Sequence, residues 1–111
     1  MKTAVIGSRK LMITNLEVYL PADTTEIVSG GATGIDTCAK HFSLTHNIPY
    51  TEYRPDYTRY GRAAPIVRNR QIVDHADRVI AFWDGTSRGT RSVIDYCRKI
   101  GKPITVYTVV S

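Results

Sequence analysis

The sequence is poor in cysteine, with Cys38 and Cys97 the only two among 111 residues. They lie far apart, without Cys-x-x-Cys spacing or a neighbouring histidine cluster. That argues against a disulfide framework and a zinc site, and reads as two buried, reduced thiols. No apolar run approaches the roughly 18–20 residues that a membrane-spanning helix needs. Residues 1–7 carry only a short apolar stretch before Ser8, Arg9 and Lys10, so no secretory leader is expected and the chain reads as cytoplasmic. Repeats and low-complexity tracts are missing as well. So are the dinucleotide fingerprint Gly-x-Gly-x-x-Gly and the phosphate loop Gly-x-x-x-x-Gly-Lys-Ser/Thr, which disfavours ordinary NAD enzymes and ATPases. His41, His46 and His75 have no Ser or Cys partner at a recognisable spacing, so no Ser–His–Asp arrangement is legible, and they read as surface or helix-cap residues.

What is present is ordinary globular material. An apolar share of 42% and a charged share of 23% exclude wholesale disorder and fibrous architectures, and the length suits one domain over 1–111. The net charge of +5 is concentrated rather than spread. Residues 54–70 hold five arginines (Arg54, Arg59, Arg62, Arg68, Arg70) against one acid, Asp56, so this segment accounts for nearly all of the excess. Such clustering points to a local anion site more than to a uniformly basic nucleic-acid coat.

Apolar runs alternate with amphipathic stretches. Strands are expected at 4–6, 26–29, 49–53, 78–83 and 104–110, the third nearer a sheet edge because Pro49 leads it. Helices are expected at 35–46, 65–75 and 90–100, with a shorter one at 14–20 closed by Pro21. Regular alternation of strand and helix predicts an α/β, three-layer Rossmann-like fold. It has about five mostly parallel strands with helices on both faces, and ligands at the carboxyl ends of the strands. Trp83 and Tyr107 suit either the core or a subunit interface.

Three of these strand ends carry similar turn chemistry. The first is Gly7, Ser8 and Arg9; the second is Ser29, Gly30, Gly31, Ala32, Thr33, Gly34, Ile35 and Asp36; the third is Asp84, Gly85, Thr86, Ser87, Arg88, Gly89 and Thr90. Glycines let backbone amides approach a phosphate, and a following helix N-terminus adds its positive dipole end. Each turn alone also reads as a tight strand-to-helix connection, with Asp36 in a first helical turn and Thr90 or Ser87 as a cap. Two glycine-rich loops after different strands of one small sheet favour an anion cradle. Phosphate would then lie on the amides of 30–34 and 85–90, with Arg9 and Arg68 neutralising it. Asn69 or Asp84 would contact sugar or base. In the basic segment, Tyr53, Tyr57 and Tyr60 are placed either to stack on a base or to cover the sheet edge. Arg68 and Asn69, at a helix start, are expected to point back toward the strand ends.

These residues, in this order, resemble the SLOG superfamily of Rossmann-like proteins, most closely its small single-domain YspA-like branch. The carriers, besides the three loops, are Pro55–Asp56–Tyr57, Tyr60–Gly61, Arg68–Asn69, Ala76–Asp77, Ala81–Phe82–Trp83 and Gly101–Lys102–Pro103, spread over nearly the whole chain. The resemblance implies a nucleotide or nucleotide-derived ligand at the glycine loops, with no metal or resident cofactor. It also implies a tendency to form homodimers or higher homo-oligomers, and a place in signalling or defence as a sensor. One relative, the Lonely-guy phosphoribohydrolases, cleaves the N-glycosidic bond of nucleoside 5′-monophosphates. Its arginine matches Arg68, but its glutamate falls on Val93, and Asp95 lies about 200° further round a helix. Asp36, Asp84 and Arg68 remain the only candidates for a catalytic role. Another relative, DNA-processing protein A, binds single-stranded DNA, a third reading that the basic segment suits electrostatically.

Overall fold

In the computed structural model, which describes residues 1–109, five strands form one all-parallel sheet in the order β3-β2-β1-β4-β5. They are β1 (Lys2–Gly7), β2 (Glu26–Ser29), β3 (Tyr50–Glu52), β4 (Arg78–Trp83) and β5 (Ile104–Thr108). The helices are α1 (Ile35–Thr45), α2 (Tyr57–Tyr60), α3 (Ala64–His75) and α4 (Arg88–Ile100). The fold is thus the expected three-layer α/β arrangement. Val110, the end of the expected fifth strand, lies outside the described residues.

Alternating side chains feed two cores, because both faces of a parallel sheet are covered. Val5, Ile27, Ile80 and Phe82 point to one face and meet Ile35 and Ala39 of α1, with Leu11 and Leu16. Ala4, Ile6, Val28, Val79 and Ala81 point to the other and meet Ile72 and Val73 of α3 and Val93, Ile94 and Cys97 of α4. Trp83, partly buried, packs against this second core, and Tyr107, also partly buried, stacks on Phe82 in the first.

Winding proceeds from β1 outward through β2 to β3, then crosses back to β4 on the other side of β1 and continues to β5. Right-handed crossovers therefore put α1 on one face and α3 and α4 on the other.

Several expected elements shift. The helix at 14–20 is only a 3-10 turn over Leu16–Val18. Its Asn15 makes no capping bond, and Pro21 leaves no room for a further turn. The basic segment, expected as a loop, contains α2, whose N-terminus Asp56 caps by accepting the Arg59 amide at 3.1 Å. Helix α4 opens at Arg88 rather than Thr90, so Gly89 and Thr90 lie inside its first turn. Cys97 is buried, but Cys38 is only half-buried, because it sits on the rim of α1 where its sulfur takes the Ile13 amide at 3.3 Å. His41 and His46 are exposed, whereas His75 is partly enclosed between Glu26 (2.6 Å) and the Tyr53 hydroxyl (3.0 Å). That clamp joins the end of α3 to the edge of the sheet. No described helix is long and apolar enough to cross a membrane.

Candidate ligand-binding site

The winding reverses between β1 and β4, and the loops leaving those two strands part there, opening a crevice at the carboxyl edge of the sheet. A cleft of about 430 Å³ occupies that position. Its floor is apolar, made by Ile6, Ile72 and Val93. Gly7, Ser8, Arg9 and Lys10 wall it on one side, and Asp84, Thr86, Ser87, Gly89 and Thr90 on the other. Arg68 and Asn69 reach it from α3, and Ala32 and Asp36 from the loop and first turn after β2.

The loop after β4 is shaped by Asp84. One carboxylate oxygen accepts the backbone amides of Thr86 (2.9 Å) and Ser87 (2.8 Å), which hold the group below the usual carboxylate range. Ser8 laces this loop to the one after β1, since its amide donates to the Phe82 carbonyl at 3.0 Å and its Oγ accepts the Asp84 amide at 3.2 Å. The result is a rigid mouth. Ser87 occupies the N-cap position of α4 but makes no capping bond with its side chain. The first amides of α4 therefore lack a side-chain acceptor, and Gly89 and Thr90 present them beside the cleft. A Cβ on Gly89 would meet nothing within 4 Å, and its backbone φ is not in the glycine-favouring region. Neither packing nor backbone geometry explains a glycine here.

Arg68 is only 9% exposed. Its Nη1 donates to the Gly30 carbonyl at 3.1 Å and its Nε to the Asn69 side-chain oxygen at 2.9 Å. Among the described residues Nη2 has no hydrogen-bond partner, and since no buried side-chain nitrogen or oxygen there lacks one, Nη2 reaches solvent at the hollows that Arg68 lines. Burial pushes the guanidinium below its ordinary pKa, and the neighbouring Asp36 charge opposes that shift. Asp36 is 6% exposed and accepts the Ala32 amide at 3.1 Å. Burial raises its pKa in spite of that bond and of Arg68. A Cβ on Gly30 would lie 2.9 Å from Arg68 Nη1 and 3.0 Å from Asp36 Oδ2, so glycine is what leaves room for both side chains.

The glycines that read alike in sequence divide in space. Gly7 is required by packing, because a Cβ there would come within 2.5 Å of Ile35 and 2.6 Å of the Phe82 carbonyl. Gly34 lines neither this cleft nor the hollow beside it; it is pressed against the Ser8 and Arg9 backbone at a φ of +76°. Gly85 also lies off the lining, at a φ of +88° with open space around it. Gly30, Gly31 and Thr33 line a second hollow beside the first, which Arg9, Ala32 and Arg68 share. Lys10, Pro65 and the apolar floor were not legible as site residues, and Thr86 was legible only as a member of the loop after the fourth strand; Lys10 carried a signal only as a neighbour of Arg9.

No family model, curated protein or solved structure matches the chain.

The cleft lining carries Arg9, Lys10 and Arg68 against Asp36 and Asp84. Asp84 is committed to its own loop, and the α4 position nearest the floor is the apolar Val93. Among the described residues, no group of three or more His, Cys, Asp and Glu is placed to hold a metal ion. Asp36 gives the site a pH dependence. An anion seated near it disfavours its ionised form, so binding takes up a proton and affinity rises as pH falls through the raised Asp36 pKa. Titrations at several pH values with wild-type protein and Asp36→Asn check this. The asparagine variant is expected to keep only the pH dependence that belongs to the ligand, and equal slopes would contradict it.

Proposed function

We propose that this protein binds a nucleotide or nucleotide-derived ligand at the β1–β4 crevice without turning it over, as a SLOG-type sensor domain. The observation that carries the reading is the meeting of a buried arginine and an uncapped helix N-terminus over one apolar-floored cleft. A phosphate takes the α4 amides and the free Nη2 of Arg68, the strong charge-assisted arrangement. Asn69 supplies a polar contact beside it, and Ile6, Ile72 and Val93 accept the flatter part of the ligand. Binding without hydrolysis is favoured because the α4 side chain on the cleft floor is the apolar Val93 rather than a carboxylate.

A thermal-shift panel of nucleoside mono-, di- and triphosphates, cyclic nucleotides, NAD, ADP-ribose and a short single-stranded DNA tests this reading. Ligand at about a hundred times its dissociation constant adds ~2.7 kcal/mol, a rise on the order of 10 °C for a domain of this size. A panel in which no nucleotide shifts the transition overturns the proposal, a shift with DNA alone transfers the site to nucleic acid, and release of ribose 5-phosphate makes the protein a glycosidase. Gly89→Ala gives a sharper signature through effects of opposite sign. It is expected to stabilise the ligand-free fold by about 0.5 kcal/mol through helix propensity and reduced chain entropy. The same methyl group crowds the anion, so nucleotide affinity falls about fivefold. Equal affinity for the two proteins removes the α4 N-terminus from the site.

A further inference from the structure

The hollow beside the cleft has a volume of about 490 Å³, as large as the cleft itself. Arg68, Arg9 and Ala32 belong to both and form the ridge between them. The ridge therefore carries two cations, one buried and anchored, with a chamber on either side. One chamber ends on the apolar floor of Ile6, Ile72 and Val93. The other ends on Pro55 and the ring of Tyr57, which is 59% exposed.

This outer wall is held in place. Arg54, at its rim and exposed, pairs with Glu52 at 2.6 Å. Gly31, at a φ of +71°, lies so close to Glu52 that a Cβ would come within 2.6 Å of its side chain. Helix α2, capped by Asp56, presents Tyr57 as its first residue.

From this we infer that the ligand is of the bridged dinucleotide class, two nucleoside ends joined through phosphates, with one phosphate on the α4 amides and Arg68 as above and the bridge passing over the Arg9–Arg68 ridge. A mononucleotide fills one chamber and leaves the other to solvent. Arg9 and Arg68 stand where a bridge lies, with Lys10 lining the inner chamber and Arg54 the outer one, and each chamber also offers an apolar or flat surface, one of them an aromatic side chain suited to stacking on a base. A ligand with one base and a terminal phosphate does not call for that symmetry. The inference rests on the nucleotide reading above and specifies which nucleotides.

Calorimetric titration with AMP and with diadenosine diphosphate, in which two adenosines share a pyrophosphate bridge, tests it. Wild-type protein is expected to bind the bridged compound about tenfold or more tightly than AMP, and Tyr57→Ala to bring that ratio down to about one. Tyr57 lies at the surface, so the variant folds, which its thermal transition verifies. A wild-type ratio near one, or a ratio unchanged in Tyr57→Ala, overturns the inference while leaving the nucleotide reading intact. Absence of binding by either compound, and by the rest of the nucleotide panel, overturns the parent reading and this one with it.

Discussion

Gly34→Ala is expected to lower the free energy of unfolding by about 3–5 kcal/mol, a large part of the ~5–15 kcal/mol that such domains possess. Two independent penalties add. Gly34 stands at φ 76°, ψ −123°, a conformation closed to residues with a Cβ. The added carbon would also lie 2.4 Å from the Arg9 carbonyl oxygen and 2.8 Å from that of Ser8. These are backbone atoms that cannot swing aside, since Ser8 is bonded to Phe82 and its carbonyl receives the Leu11 amide. Relief requires the β1 loop and α1 to separate, which opens the core around Ile35. Gly85→Ala is the control: it has a φ of +88° but nothing within 4 Å, and should cost only about 1 kcal/mol of strain. Urea unfolding of the three proteins measures both, and a Gly34→Ala loss below that of Gly85→Ala would contradict the packing described.

Arg68→Met is expected to weaken nucleotide binding by roughly 10–100-fold, the worth of one or two charge-assisted hydrogen bonds in an enclosed site. Methionine keeps most of the stem's volume, so the loss reports the guanidinium. The variant deprives the Gly30 carbonyl of its donor, and it also removes a buried charge; the two effects on stability oppose one another. Arg68→Lys is expected to recover less than half of the lost binding free energy. Arginine anchors itself through Nε and Nη1 and still offers Nη2 to the cleft, whereas an ammonium lacks that fixed fork. Calorimetry on the three proteins decides the matter, and unchanged affinity in Arg68→Met takes Arg68 out of the site.

The strands were readable because their signals are local. Residues 26–29 and 78–83 appear as expected, and β1 extends only slightly beyond 4–6. Helix α2 was hidden, since four residues are too few for a helical period to show, although the capping aspartate was present in the sequence. The start of α4 was displaced because Gly89 reads as a loop residue. In the fold the Asp84 carboxylate turns the chain early and lets the helix begin before it.

By itself, the sequence determined the alternation of strand and helix, the parallel sheet and the strand ends as the place for chemistry, because hydrophobic period, turn residues and chain chirality act over short distances. It also placed Arg68 near those ends. The tertiary structure decided what surrounds each glycine: Gly7 and Gly34 let segments pack, Gly30 leaves room for the Arg68 and Asp36 side chains, and Gly89 stands in open space in the first turn of α4. It also decided that Arg68 bonds to a carbonyl 38 residues away and forms a ridge between two chambers. Those outcomes depend on the strand order, in which the return from β3 to β4 carries α3 across the crevice, and no local pattern along the chain encodes that crossing.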